Sequence, residues 1–144
     1  MTVRAHAAFG AAASLAVLCA IVWGFVLAGS PSTRRRERVD DQRLHDLQAI
    51  AAEIQSLVVT KNGKRELKEP IPRTLDDAVT RARGTKLNPR DPETGEPYRY
   101  TVKNETTFEL CARFTTRRDS DWHVFWNHPA GDHCFTINVL DPPP

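Results

Sequence analysis

Most of the signatures that announce a chemistry are missing from this chain. There is no Gly-rich phosphate loop, no Ser elbow and no closely paired carboxylate with a recognisable partner, which leaves the common nucleotide-binding and hydrolase patterns without a footing. An excess of one charge is missing too: 20 Lys and Arg stand against 18 Asp and Glu, a net of +2, and so small a surplus argues against nucleic acid as a partner. Cysteine is scarce, at three in 144 residues. The sharpest absence is local, because the 23 residues from Ala7 to Gly29 hold no charged side chain.

That run divides the chain. At 1.5 Å per residue it makes a helix of roughly 34 Å, enough to cross a hydrocarbon core of about 30 Å. Residues 1–6 form a short tail, 7–29 a transmembrane anchor, 30–61 a juxtamembrane amphipathic helix, 62–139 an α+β soluble domain completed by helix 37–60, and 140–144 a Pro-rich tail. A cleaved signal peptide is the competing reading, with Arg4 as its basic region and Val26-Leu27-Ala28 before the cut, but the apolar run exceeds the usual h-region. Cys19 follows Leu18 rather than the small residue of a lipoprotein signal, and reads as a lipid-facing or packing residue.

Two signals for orientation disagree. Arg34, Arg35, Arg36 and Arg38 crowd the distal flank of the apolar run, where they are candidates for lipid headgroup contact and would hold the domain in the cytoplasm. Cys111 and Cys134 favour the other side. If paired they close a loop of about 24 residues, which stabilises on the order of 3 kcal/mol and persists in oxidising compartments. Two buried free thiols are the alternative. The expected location is a single-pass membrane protein with its soluble domain on the exoplasmic, periplasmic or extracellular, side.

After the anchor, Leu44, Leu47, Ala51, Ile54 and Val58 recur at three-four spacing, with Ile50 and Leu57 widening the stripe, while Arg43, Asp46, Gln48, Glu53 and Gln55 take the other positions. Such a stripe calls for a sheet to pack on. Asn62-Gly63 ends it, and KNGKRELKEPIP reads as a charged surface loop. A short helix is predicted over 75–83, capped by Thr74, with Asp76 and Asp77 in its first turn and Gly84 as its stop. Strands follow at Tyr98–Val102, Thr107–Phe114, Trp122–Trp126 and Cys134–Val139. Phe108, Leu110, Ala112 and Phe114 alternate inward, and Trp122, Val124 and Trp126 read as core or else as a protein-binding patch. The fold class is α+β: a transmembrane helix, then a long amphipathic helix packed on a small antiparallel β-meander.

The loop NPRDPETGEPYRY opens the first strand. Pro89, Pro92 and Pro97 forbid helix, Gly95 permits a left-handed turn and Asp91 can close an Asx-turn. Asp91, Glu93, Thr94 and Glu96 are weak candidates for Ca²⁺ oxygen ligands, without EF-hand spacing; an ordinary hydrogen-bonded turn is the simpler expectation. His123, His128, His133 and Cys134 lie close in sequence but match no common zinc motif, and no geometry fixes a Cys-His nucleophile pair. No metal, no cofactor and no catalytic residue is expected.

The order of these blocks carries a resemblance. A membrane helix running into an amphipathic helix, a Pro-Thr-Leu-Asp helix start and DPETGEPYRY leading a meander resemble type IV pilins and type II secretion pseudopilins. RVDDQRLHDLQAI, DPETGEPYRY, FELCARF and FWNHPAGDHCF together are similar to uncharacterised bacterial single-pass membrane proteins with such a pseudopilin-like tail. The resemblance implies a pilin-like fold at a membrane and brings no reaction with it. Counting from Gly10, Leu15 stands where a prepilin carries Glu, which counts against peptidase processing. The expected function is therefore a membrane-anchored, non-catalytic structural or interaction domain, its partners the lipid bilayer and a protein reached through the anchor or helix 37–60. The alternative is a minor pseudopilin-like component of a secretion or pilus assembly system.

Overall fold

The computed structural model describes residues 2–28, 30–60, 65–82, 86–141 and 143. The chain divides into two compact units, Met1–Arg35 and Arg36–Pro144. The first holds helix α1 (Thr2–Ala28), whose side chains from Ala8 to Val26 are all exposed. It is long and apolar enough to cross a membrane and lies near the N-terminus. Apolar residues surround it on every side, as a helix facing lipid would have and a helix on a soluble surface would not.

Helix α2 spans Pro31–Val58, and its residues from Arg36 onward belong to the second unit. There the expected stripe is the core: Leu47, Ile50, Ile54 and Val58 are fully buried, with Leu44 and Ala51 close behind. Where α2 ends, a two-stranded ribbon pairs β1 (Val59–Thr60) with β2 (Glu66–Leu67). The sequence reading had Val59 and Thr60 in the helix and Glu66 and Leu67 in a loop; strands of two residues leave no periodicity to detect. The Asn62-Gly63 turn and the Gly84 stop lie outside the described residues.

Helix α3 covers Leu75–Arg81, capped as expected by Thr74, whose Oγ1 accepts the Asp77 N–H at 3.1 Å. The sheet is a meander of β3 (Arg99–Val102), β4 (Thr107–Phe114) and β5 (Gly131–Asn138), antiparallel in the order β3-β4-β5. Alternation sets its two faces. Phe108, Leu110, Ala112 and Phe114 of β4 with Phe135 and Ile137 of β5 join the α2 stripe in a single core, which Tyr98 and Val139 complete.

One expected strand is absent. Residues 124–126 form a single 3₁₀ turn, and although Trp126 is buried, Trp122 is 90% exposed and Val124 69%. The reason lies in the flanks. Asn127 folds back on Ser120, its Oδ1 accepting the Ser120 N–H at 2.7 Å and its Nδ2 donating to the Ser120 carbonyl at 3.0 Å. This closes residues 120–127 into a loop, so the segment lacks the extended backbone that would put both tryptophans on one face.

Candidate functional site

The most concentrated chemistry in the second unit lies on α2, where the sequence reading had placed Arg43 and Asp46 outside the apolar stripe. Asp40, Arg43 and Asp46 follow at three-residue intervals, which stacks them along one side of a helix. All three are buried, with 3%, 3% and 5% of their surface exposed. Buried charge is costly unless paired and hydrogen-bonded, so their partners decide the local structure.

Arg43 is the centre. Its Nε donates to Asp91 Oδ2 at 2.6 Å and its Nη2 to Asp91 Oδ1 at 3.1 Å, a two-pronged grip on one carboxylate. Nη2 also reaches Glu93 Oε2 at 2.9 Å, and Nη1 donates to Asp40 Oδ1 at 2.8 Å and to Thr115 Oγ1 at 3.3 Å. Such a planar fork suits a site with several acceptors in a way an ammonium does not. Burial works against the charged guanidinium, but its bonds to Asp91, Asp40 and Glu93 outweigh that and hold it more firmly protonated than an ordinary arginine.

Each acid has a second task. Strand β4 ends at Phe114, leaving the next backbone N–H groups without sheet partners. Asp40 takes them: Thr115 N–H at 3.0 Å, Thr116 N–H at 2.7 Å and the Thr116 hydroxyl at 2.7 Å. Burial disfavours its charge, yet these donors together with Arg43 keep its carboxyl below the usual range. Asp91 closes the expected Asx-turn, Oδ1 accepting the N–H groups of Glu93 at 2.8 Å and Thr94 at 3.0 Å. For it too burial opposes ionisation and Arg43, followed by the two N–H donors, prevails. Gly95 takes the positive φ of 73° that the turn requires.

Asp46 anchors the far end of the loop. Its Oδ2 accepts Asn88 Nδ2 at 2.9 Å and the Tyr98 hydroxyl at 3.0 Å, while Oδ1 accepts Gln42 Nε2 at 2.9 Å. Burial first, and the neighbouring Asp46 charge second, push the Tyr98 phenol well above its ordinary value, so it acts as a hydrogen-bond donor. Tyr100, likewise raised by burial, donates to the Pro72 carbonyl at 2.7 Å. A 540 Å³ cavity opens beside this cluster, with Arg43, Glu93, Arg99, Arg113 and Asp132 among its walls.

Of the four Ca²⁺ candidates, Asp91 and Glu93 turn their carboxylates to Arg43, and Thr94 Oγ1 accepts the Glu96 N–H at 3.3 Å. A guanidinium thus stands where a cation would have been sought. Cys111 and Cys134 face each other across β4 and β5 and form a disulfide, with Cα atoms 4.0 Å apart. Glu109 lies beside them and pairs with Lys103 at 2.8 Å. The pairing leaves neither sulfur as a thiolate ligand or nucleophile. The histidines do not gather: His128 is buried and stacked on Phe114 with ring centroids 3.6 Å apart, whereas His133 is half-buried with its ring edge-on to Phe135 and His123 is exposed. Burial lowers the His128 pKa despite the Pro129 carbonyl beside its ring. Arg34, Arg35, Arg36 and Arg38 are all exposed.

Comparison with protein-family models, curated protein sequences and solved structures finds no match. The chemistry of the site therefore stands on its own geometry. What that geometry achieves is mechanical: three buried side chains of one helix fix the Pro-rich loop and the end of β4. Sequence reasoning found the loop and missed its anchor, since Asp40, Arg43 and Asp46 sit at ordinary polar positions of an amphipathic helix. The one available signal was an Asp-x-x-Arg-x-x-Asp spacing in a chain that also carries a turn rich in acids and Asn.

Proposed function

We propose that this chain is a single-pass, membrane-anchored structural or interaction domain without catalytic activity, its soluble unit on the exoplasmic side of the membrane. The observation that carries the reading is the Cys111–Cys134 disulfide in a unit that follows, along the chain, an apolar helix of spanning length. Disulfides persist in oxidising compartments, which favours an exported domain over a cytoplasmic one despite the four arginines. The buried charges support the same reading, because Arg43 is taken up by Asp40, Asp91 and Glu93, and Asp40 and Asp91 are further occupied by backbone N–H groups.

The experiment is alkylation of intact cells with a membrane-impermeant maleimide, with and without prior reduction, followed by mass analysis of Cys111 and Cys134. Labelling only after reduction is the expected outcome. Absence of label until the cells are lysed would place the domain inside and overturn the reading.

A second reading is favoured by one feature, an amphipathic helix laid along a three-stranded antiparallel meander, which is the arrangement of pilin-like domains. On that reading the protein belongs with the uncharacterised bacterial pseudopilin-like membrane proteins and serves as a minor component of a secretion or pilus assembly system. Leu15 in place of Glu weighs against it. N-terminal sequencing of the mature protein decides, since a chain starting near Ala11 would establish processing and an uncleaved chain would remove it.

A further inference from the structure

The outer face of the meander brings a carboxylate and two sulfurs together. Glu109 and Cys111 stand two residues apart on β4 and so share one face, opposite the core face of Leu110 and Ala112. Across from them on β5 lie Thr136 and Cys134, each directly opposed in register. The ligand atoms of Glu109, Cys111 and Cys134 lie within 4.8 Å of one another. While the sulfurs are bonded to each other they are closed to other partners, so the set has a second use only after reduction.

The backbone keeps that second state in place. Residues 107–114 pair with residues 131–138 along the whole of β4 and β5, so breaking the S–S bond leaves two thiols still facing each other. Access is one-sided, because Cys134 is exposed whereas Cys111 is 7% exposed. A dithiol reductant attacks the Cys134 sulfur as its thiolate, the S–S bond breaks and Cys111 departs as thiolate. The second thiol of the reductant then attacks the mixed disulfide, frees Cys134 and closes a disulfide within the reductant. Two electrons pass to the protein, and the two protons of the reductant end on Cys111 and Cys134.

The donor set selects the ion. Two thiolates and one carboxylate suit Zn²⁺ and offer too few hard oxygens for Ca²⁺ or Mg²⁺. With Zn–S bonds of about 2.3 Å, two sulfurs of a tetrahedral site stand roughly 3.8 Å apart, a separation that rotation about the Cα–Cβ bonds of directly opposed residues supplies. Charge balances as well. The three anionic ligands exceed the ion by one negative charge, and Lys103 Nζ, 2.8 Å from Glu109 Oε2, offsets it. Oε1, which accepts the Thr136 hydroxyl at the longer distance of 3.4 Å, is left for the metal. These two contacts orient the carboxylate in the way that outer partners orient metal ligands.

We propose that reduced Cys111 and Cys134, together with Glu109, bind one zinc ion on the outer face of the sheet with a fourth position open to water. Binding displaces the two thiol protons, and disulfide and metal are alternative occupants of the same two sulfurs. This goes beyond the anchored-domain reading and holds on either side of a membrane.

The test uses full-length protein in detergent, with Cys19→Ala so that Cys111 and Cys134 are the only thiols. The protein is reduced with a phosphine, freed of it under nitrogen and titrated with Co²⁺ and then Zn²⁺. The expected result is one Co²⁺ per chain, with sulfur-to-cobalt charge-transfer absorption that Zn²⁺ abolishes, and no such absorption from oxidised protein. Zn²⁺ should also raise the melting temperature of the reduced protein alone. Glu109→Gln, on the outer face of the sheet, should weaken Zn²⁺ binding by about tenfold or more while its metal-free circular dichroism stays that of the parent. Absence of the charge-transfer band, or one metal shared by two chains, overturns the proposal. Equal Zn²⁺ affinity of Glu109→Gln and the parent overturns it too, as does loss of the β signal on reduction, since the paired strands must hold the sulfurs together. Purified protein has no membrane side, so failure here leaves the anchored-domain reading to the alkylation experiment.

Discussion

The Arg43 guanidinium holds both oxygens of the Asp91 carboxylate, 48 residues further along the chain, through bonds of 2.6 and 3.1 Å. The pair ties α2 to the loop that opens β3 within the second unit. Because both groups are largely shielded from water, removing either leaves the other with a charge that solvent cannot reach.

Arg43→Met is therefore expected to destabilise the protein by about 3 to 5 kcal/mol, the cost of stranding one side of a buried ion pair. Arg43→Lys should lose less, since an ammonium keeps the charge but cannot span Asp40, Asp91 and Glu93 together. Urea unfolding of the full-length protein in detergent measures both. Equal stability of Arg43→Met and wild type would show that the network contributes nothing net.

Tyr98→Phe removes one of three donors to Asp46 and leaves Gln42 and Asn88 in place. A loss of about 1 to 2 kcal/mol is expected, the range for one buried hydrogen bond to a charged acceptor. A double-mutant cycle with Asp46→Asn checks that the coupling is direct, and additive losses would refute it.

Replacing Cys111 and Cys134 together by serine should cost about 3 kcal/mol through the freer unfolded chain. The fold should survive, because β4 and β5 remain paired along eight residues by backbone bonds. Thermal unfolding with and without reductant tests this. The wild type should respond to reductant and the double variant should not.

Stability should fall in two windows as pH decreases. The folded pKa of His128 lies below its ordinary 6.5, so the unfolded chain takes up a proton first. Stability is then full above about pH 6.5 and declines as pH falls from there through the folded value. Asp40, Arg118 and His133 are the charges that act on this ring. Asp40 and Asp91 are depressed below 3.8, so their contribution is present above that value and lost as pH falls through their folded values. His128→Phe, which preserves the stack on Phe114, should abolish the first window and spare the second. Melting temperature against pH for both proteins is the measurement.

The parts of the fold that were legible in the sequence are those written in periodicity. The α2 stripe from Leu44 to Val58 and the alternation of β4 each bury one face of a regular element, and burial imposes spacing. The Thr74 cap and the Asp91 turn were legible because their side chains bond to backbone only a few residues away. Arg43 was not, since its role depends on Asp91 and Glu93, 48 and 50 residues away, which only the tertiary fold brings to it. The run Trp122 to Trp126 misled for a related reason. Two tryptophans four residues apart fit a strand face, but Asn127 and Ser120 bend the backbone between them, and amide-to-backbone bonds leave no periodic trace.

The disulfide also sets how far the molecule can be stretched. Cys111 and Cys134 stand directly opposite each other on neighbouring strands and are separated by 23 residues. A pull applied through the chain from α1 toward the C-terminus bypasses that whole segment, roughly 80 Å of extended backbone at about 3.5 Å per residue that cannot pay out until the bond is reduced. Under tension the C-terminal half of the sheet thus behaves as a short strap, and oxidation fixes the reach of anything attached beyond β5.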